Sequence, residues 1–331
     1  MFRTEGSGVV YALLDVGKFV ASFFVIFIHT EPLADVSPFG SYLLSHGLSR
    51  QAVPFFFVAS GFFLARHASA EGAVSFCAVL HTARRLLVLY AVYFLIYEPF
   101  SFLMLRAQGH GTSFAEILIE AAFGPFHLWF FPALLEAVLL LALLLKFLRL
   151  RTILLLSGAL YFGATAVYGF GLLPVDSFYD HVVRGAVFFG LPFVALGFFL
   201  ARAPRLPRRC LLLCYGVGTL LMLGESGWHF ARQLPPLELF FTLPLCVVPL
   251  FLLLRDAAAG AWLTAHSVTL RRMSTLIYGM HVLPMVCLFV WPAPLLQQHL
   301  LLTAVTIVWA LLASWLVLRL APRVRLLRYL Y

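Results

Sequence analysis

Ten residues separate Lys18 from His29 in one apolar run, Leu13-Leu-Asp-Val-Gly-Lys-Phe-Val-Ala-Ser-Phe-Phe-Val-Ile-Phe-Ile-His29. The run is long enough to cross a bilayer, and an ionisable group inside such a segment is costly unless it has a use. On a helix turning 100° per residue, eleven steps return His29 to within about 20° of Lys18, roughly 16 Å along the axis. Asp15 and Ser22 share the stripe, because 15, 18, 22, 25 and 29 follow a three-and-four spacing. A polar stripe of this kind is expected to line a polar cavity. A histidine there, with an ordinary pKa near 6.5, can take a proton from a hydroxyl at neutral pH. The simpler reading is an interfacial histidine bonded to a carbonyl and a lysine that snorkels to water. That reading leaves their shared phase unexplained.

Other residues able to do chemistry follow along the chain. Arg50-Gln-Ala-Val-Pro-Phe-Phe-Phe-Val-Ala-Ser60-Gly61 places Ser60 and a glycine in mid-span, where close helix packing is the plain alternative. Arg84 and Arg85 open the third apolar run. Paired guanidiniums suit phosphate oxygens, although arginines at that place also serve membrane orientation. His127-Leu-Trp129 begins the fourth run, where an aromatic belt would suffice. Ser274-Thr-Leu-Ile-Tyr278-Gly-Met-His281 puts a tyrosine and a second histidine inside the ninth, and packing alone explains an intramembrane histidine poorly. No metal site is read. The five cysteines, Cys77, Cys210, Cys214, Cys246 and Cys287, are scattered through apolar runs and expected to be buried free thiols.

The elements that must hold these residues are membrane helices. Apolar residues make up 63% of the 331 and charged ones 11%, with a mean hydropathy of +0.98. Those values exclude an ordinary soluble domain and place membrane lipid around the chain. The net charge of +9 comes from arginines at the ends of apolar runs, a membrane-orientation pattern and not a nucleic-acid surface. Runs near 13–30, 52–66, 84–105, 127–148, 152–168, 185–202, 209–224, 238–255, 274–291 and 300–320 give an all-α, polytopic protein of about ten transmembrane helices. Residues 1–331 form a single integral membrane domain on this reading. Even-numbered connections carry Arg66, Arg84, Arg85, Lys146, Arg149, Arg151, Arg202, Arg205, Arg208, Arg209, Arg255, Arg271 and Arg272. The odd-numbered ones carry most of the acids, among them Glu31, Asp35, Asp176, Asp180 and Glu238. Both termini are then expected in the cytoplasm. Ser113-Phe-Ala-Glu116 is a capping-box pattern that opens a short surface helix, which Gly124-Pro125 ends.

The ordered set resembles the membrane acyltransferase 3 family: a basic residue, ten residues and a histidine in the first span, then Pro54-Phe-Phe-Phe-Val-Ala-Ser-Gly-Phe, basic residues opening the third span, His127-Leu-Trp-Phe, and Tyr278-Gly-Met-His281. The resemblance covers nearly the whole chain. It departs where Leu86-Leu-Val-Leu-Tyr90 replaces a proline after the arginines, and where lysine stands for the more usual arginine at position 18. It implies transfer of an acyl group, most often acetyl from acetyl-CoA, to a hydroxyl of a cell-envelope glycan or lipid-linked saccharide at the cell inner membrane. Lys18 and His29 would be the core motif, with Arg84, Arg85, Lys18 and Ser60 on the acyl-CoA side. Asp15 lies on the same stripe, and Tyr278 or His281 could supply an oxyanion donor. The rival is a proton-coupled transporter for a small polar or anionic solute, which Asp15, Lys18, His29 and His281 would also suit.

Overall fold

The computed structural model describes residues 11–69, 72, 74–107, 114–290 and 294–331. Helices follow in the order α1 Ala12–Thr30, α2 Pro38–Tyr42, α3 Ala52–Ala65, α4 Phe76–Ala107, α5 Phe114–Phe123, α6 Phe130–Leu144, α7 Leu150–Gly169, α8 Leu191–Leu200, α9 Arg208–Ala231, α10 Leu243–Asp256, α11 Ala261–Met280, α12 Leu283–Val290 and α13 His299–Leu320. Among the described residues the sole strand-like feature is a bridge between Ala68 and Val74. The chain is all-α, as expected.

Seven helical stretches among the described residues are long and apolar enough to cross a membrane: Ala12–Thr30, Pro38–Ala65, Phe76–Met104, Phe126–Leu144, Leu150–Gly169, Arg208–Ala231 and His299–Leu320. Three expected spans meet something different. The sixth falls on the shorter stretch Ala186–Leu200 and the eighth on α10, which begins only at Leu243. The ninth is broken: α11 starts at Ala261 and stops at Met280, and α12 resumes at Leu283. Hydropathy misses the first half of α11 because Thr264, His266, Ser267, Arg271 and Arg272 are polar. The break follows from Pro284, which lacks an N–H and restricts the residue before it. The capping-box residues Ser113 and Glu116 lie outside the side chains described. The short helix α5 does form, and Gly124 ends it with φ +86°. A Cβ there would strike the Leu128 carbonyl carbon at 2.7 Å. Three cysteines depart from the expectation of burial. Cys77, Cys210 and Cys214 are exposed, on outward faces of α4 and α9.

The interior is built around α3. Phe55, Phe57, Val58, Ala59 and Phe62 are fully or almost fully buried, and α8 lies directly against them. Two glycines make that approach possible. A Cβ on Gly61 would overlap the Val194 carbonyl, and one on Gly197 would overlap the Val58 carbonyl. Backbone meets backbone at both points, as in the small-residue contacts of membrane helices. The packing reading of Ser60-Gly61 therefore holds for the glycine. We expect Gly61→Ala to lower the apparent melting temperature in detergent markedly, since overpacking of this kind costs about 1–3 kcal/mol. An unchanged Tm would mean that the two helices separate freely.

Candidate active site

Three histidines from distant parts of the chain meet at one end of α1. The ring centroids of His29 and His281 are 5.3 Å apart, those of His127 and His281 4.7 Å, and those of His29 and His127 6.4 Å. They differ in access. His127 is 1% exposed and His281 0%, whereas His29 is exposed although the other two flank it. Of the three, His29 is the one a dissolved molecule reaches.

Each ring is aimed by a local irregularity. His29 closes α1, which ends on Glu31 in a left-handed conformation, its N–H donating to the Phe27 carbonyl. His127 sits in a 3-10 turn, Phe126–Trp129, entered through Phe126 at φ +52°, an unusual conformation for a bulky residue. The turn drives His127 inward, where Tyr97 packs against its ring at 4.9 Å. His281 lies at the break after α11. Its Nδ1 donates to the Tyr278 carbonyl at 2.7 Å, one of the carbonyls that the break leaves free. That bond places the proton on Nδ1 and leaves Nε2 as an acceptor, buried and without a partner among the described residues.

Tyr278 does something other than expected. Its hydroxyl donates to the carbonyl of His127 at 2.5 Å, so it fixes the histidine turn and is not free to donate to a substrate. Tyr97 performs the same service on the opposite side, donating to the Gly279 carbonyl at 2.9 Å. Tyr93 fills the space beside Gly279, which no side chain could share.

Lys18 lies toward the other end of α1. Its ammonium is 3.5 Å from Asp15, which is 4% exposed, and 4.4 Å from the Phe63 ring centre. The charges of Arg271 and Arg85 act on it. Ser274 ties α11 to α1 here by donating to the Lys18 carbonyl at 3.1 Å. Of the two arginines on α4, both exposed, Arg85 is the one whose charge acts on Lys18. Both sit well inside a helix that begins at Phe76, and not at its opening. Ser60 is turned back on its own helix, donating to the Phe56 carbonyl at 2.8 Å. Between its two ends the stripe of α1 faces protein. Midway, Ser22 is fully buried and donates to the Phe19 carbonyl at 2.6 Å, and Val25 is packed beside it.

The charges of Arg50, Arg184 and His46 act on His29 from a second set of polar groups. Arg50, on a 3-10 turn leading into α3, donates to Glu238 at 2.9 Å and to His46 Nδ1 at 3.0 Å. His46, on a π-helical turn, then has its proton on Nε2 and donates to Glu31 at 3.0 Å. This hydrogen bond, chiefly, holds the Glu31 carboxyl below its usual range. Tyr179 donates to the other Glu238 oxygen at 3.1 Å. None of Arg50, His46, Arg184 or Glu238 was foreseen as a site residue. Arg50 carried the one available signal, an arginine opening an otherwise apolar span.

Helices long and apolar enough to span a bilayer, with ionisable side chains gathered at both ends of one of them, define a polytopic membrane protein with a built polar site. The acyltransferase domain family matches residues 11–319 of the 331, and the chain belongs to this membrane acyltransferase 3 family. Among curated proteins it is similar to a serine/alanine racemase of Enterococcus gallinarum, 29% identical over 70% of this chain and 36% of that one. It is also similar to an amino-acid racemase of Enterococcus faecalis, 27% identical over 94% of this chain and 46% of that one. The chain thus spans less than half the length of these relatives. No solved structure matches it. Among the described residues no group of three or more histidine, cysteine or acidic side chains is placed to hold a metal ion.

Proposed function

We propose that this protein is an O-acyltransferase of the inner membrane that moves an acyl group, most simply acetyl, from cytoplasmic acyl-CoA to a hydroxyl of a cell-envelope glycan or lipid-linked saccharide. The observation that carries the proposal is the accessible His29 backed by two buried histidines, at the opposite end of α1 from Lys18, Arg85 and Arg271. The basic end suits a polyanionic donor. With both termini cytoplasmic, that end faces the CoA pool, and His29 faces the outer side.

In this reaction His29 accepts the proton of the acceptor hydroxyl as its oxygen attacks the thioester carbon. The O–C bond forms, the C–S bond breaks, and the proton passes to the departing thiolate, so that CoA leaves as a thiol. His281 presents an unprotonated Nε2 beside His29 and can orient or relay that proton. Tyr278 and Tyr97 act as positioning residues through His127 and Gly279. The racemase names belong to proteins more than twice as long, so racemisation is not carried over to this chain.

The deciding experiment uses purified protein in detergent. It should hydrolyse acetyl-CoA slowly in the absence of an acceptor, and CoA should raise its apparent Tm, because a ligand bound to the folded state stabilises it by mass action. If neither is seen, and the protein in vesicles instead takes up a small solute down a proton gradient, the transporter reading replaces this one.

A further inference from the structure

Two guanidiniums whose charges act on His29 each keep a buried Nε without a partner among the described residues. Glu238 is the acid at the centre, and two guanidiniums converge on it. Arg50 meets it at 2.9 Å, a full charge-assisted hydrogen bond, so Glu238 and Arg50 pair their charges. His46 adds no charge, because its Nδ1 accepts from Arg50 while its Nε2 donates to Glu31. Arg184 is held more loosely, by two longer ion pairs. Its Nη1 is 3.8 Å from Glu238 and 3.6 Å from Asp180, both longer than a hydrogen bond, and the Asp180 side chain is half exposed to solvent. Its Nε is buried without a partner among the described residues, as is that of Arg50, which is itself only 8% exposed.

The Trp129 ring holds Arg184 in place, with the guanidinium 4.9 Å from the ring centre. Such stacking fixes the plane of the fork and leaves its edge free to donate. The charge of Arg184 acts on both His29 and Tyr278. An arginine held by an aromatic face, with an unused donor and only long ion pairs to its two carboxylates, is arranged to receive an oxyanion from outside.

We infer that Arg184, supported by Arg50, forms a subsite for a carboxylate or phosphate group on the acceptor, so that the molecule acylated at His29 is anionic and not a neutral sugar. This rests on the acyl-transfer reading for the word acceptor; the binding of the oxyanion does not. A group anchored on the Arg184 fork would turn a neighbouring hydroxyl toward His29, which gives the site both selectivity and orientation.

The test is thermal stabilisation of the purified full chain by glucuronate, glucose 1-phosphate, glucose and sodium chloride at matched ionic strength. Glucuronate or glucose 1-phosphate should raise the apparent Tm by a few degrees, while glucose and chloride should not. Whichever acts distinguishes a carboxylate-bearing from a phosphate-bearing acceptor. Arg184→Gln should lose the shift, and Arg184→Lys, which keeps the charge but not the fork, should retain part of it. Both variants must run as a single species on size exclusion. Equal responses to all four solutes in the native protein would overturn the subsite without any variant, as would a shift that survives Arg184→Gln. Acetyl-CoA hydrolysis measured on the same preparation separates the two failures. Hydrolysis without an oxyanion shift removes the subsite alone; a shift without hydrolysis removes the acyl-transfer reading alone.

Discussion

His29→Ala should abolish acyl transfer while leaving the protein folded, inserted and able to bind CoA. Loss of a general base costs about 10²–10⁴ in rate. A packing defect cannot account for such a loss, because the His29 ring is exposed and lies at the end of α1, not in its tightly packed middle. His127 and His281 are different in this respect, being almost fully buried, so their alanine variants would also leave cavities. His29 is therefore the clean substitution. The rate should be compared at saturating donor, with CoA-induced stabilisation measured in parallel. If His29→Ala transfers acyl groups at a near-native rate, the accessible histidine is not the base, and the transporter reading moves to first place.

The sequence made α1 legible because one helix carries both halves of its information. Its length, its apolarity and the phase of Lys18 with His29 are all local properties, and the structure keeps each of them in α1. His281 was legible for a related reason: a histidine inside an apolar run has few structural uses. Its partnership with His127 was not. An aromatic belt at a span end and a buried histidine turn share the same residue types, and only the fold brings Tyr97, Tyr278 and Gly279 around that turn. The group around Glu238 was hidden for a stronger reason. Arg50, Arg184 and Glu238 come from three separate connections, and their meeting depends on non-local packing. The ninth span was misplaced because hydropathy averages away the polar first half of α11, which the fold stabilises through contacts with α1.

Arg85→Ala should weaken CoA binding by about tenfold to a hundredfold, corresponding to loss of one charge-assisted contact of about 1.5–3 kcal/mol. Arg84→Ala should have a much smaller effect. The sequence offered the two arginines as equals, but adjacent residues on a helix point about 100° apart. The charge of Arg85 acts on Lys18, together with that of Arg271, and both α4 arginines are exposed. Lys18 has a carboxylate partner in Asp15 at 3.5 Å, and the charges of Arg271 and Arg85 act on it as well. A phosphate group of CoA would suit that group of cations. Lys18→Ala should therefore weaken binding as well, and it should strand the buried Asp15 carboxylate, so a fall in stability is expected beside the loss of affinity. Lys18→Arg should keep much of both. Raising the salt concentration should narrow the gap between Arg85→Ala and the native protein, since an accessible site is screened. Equal losses from Arg84→Ala and Arg85→Ala would show that only the net charge of the surface matters. No loss from either would move the donor site away from α4 altogether.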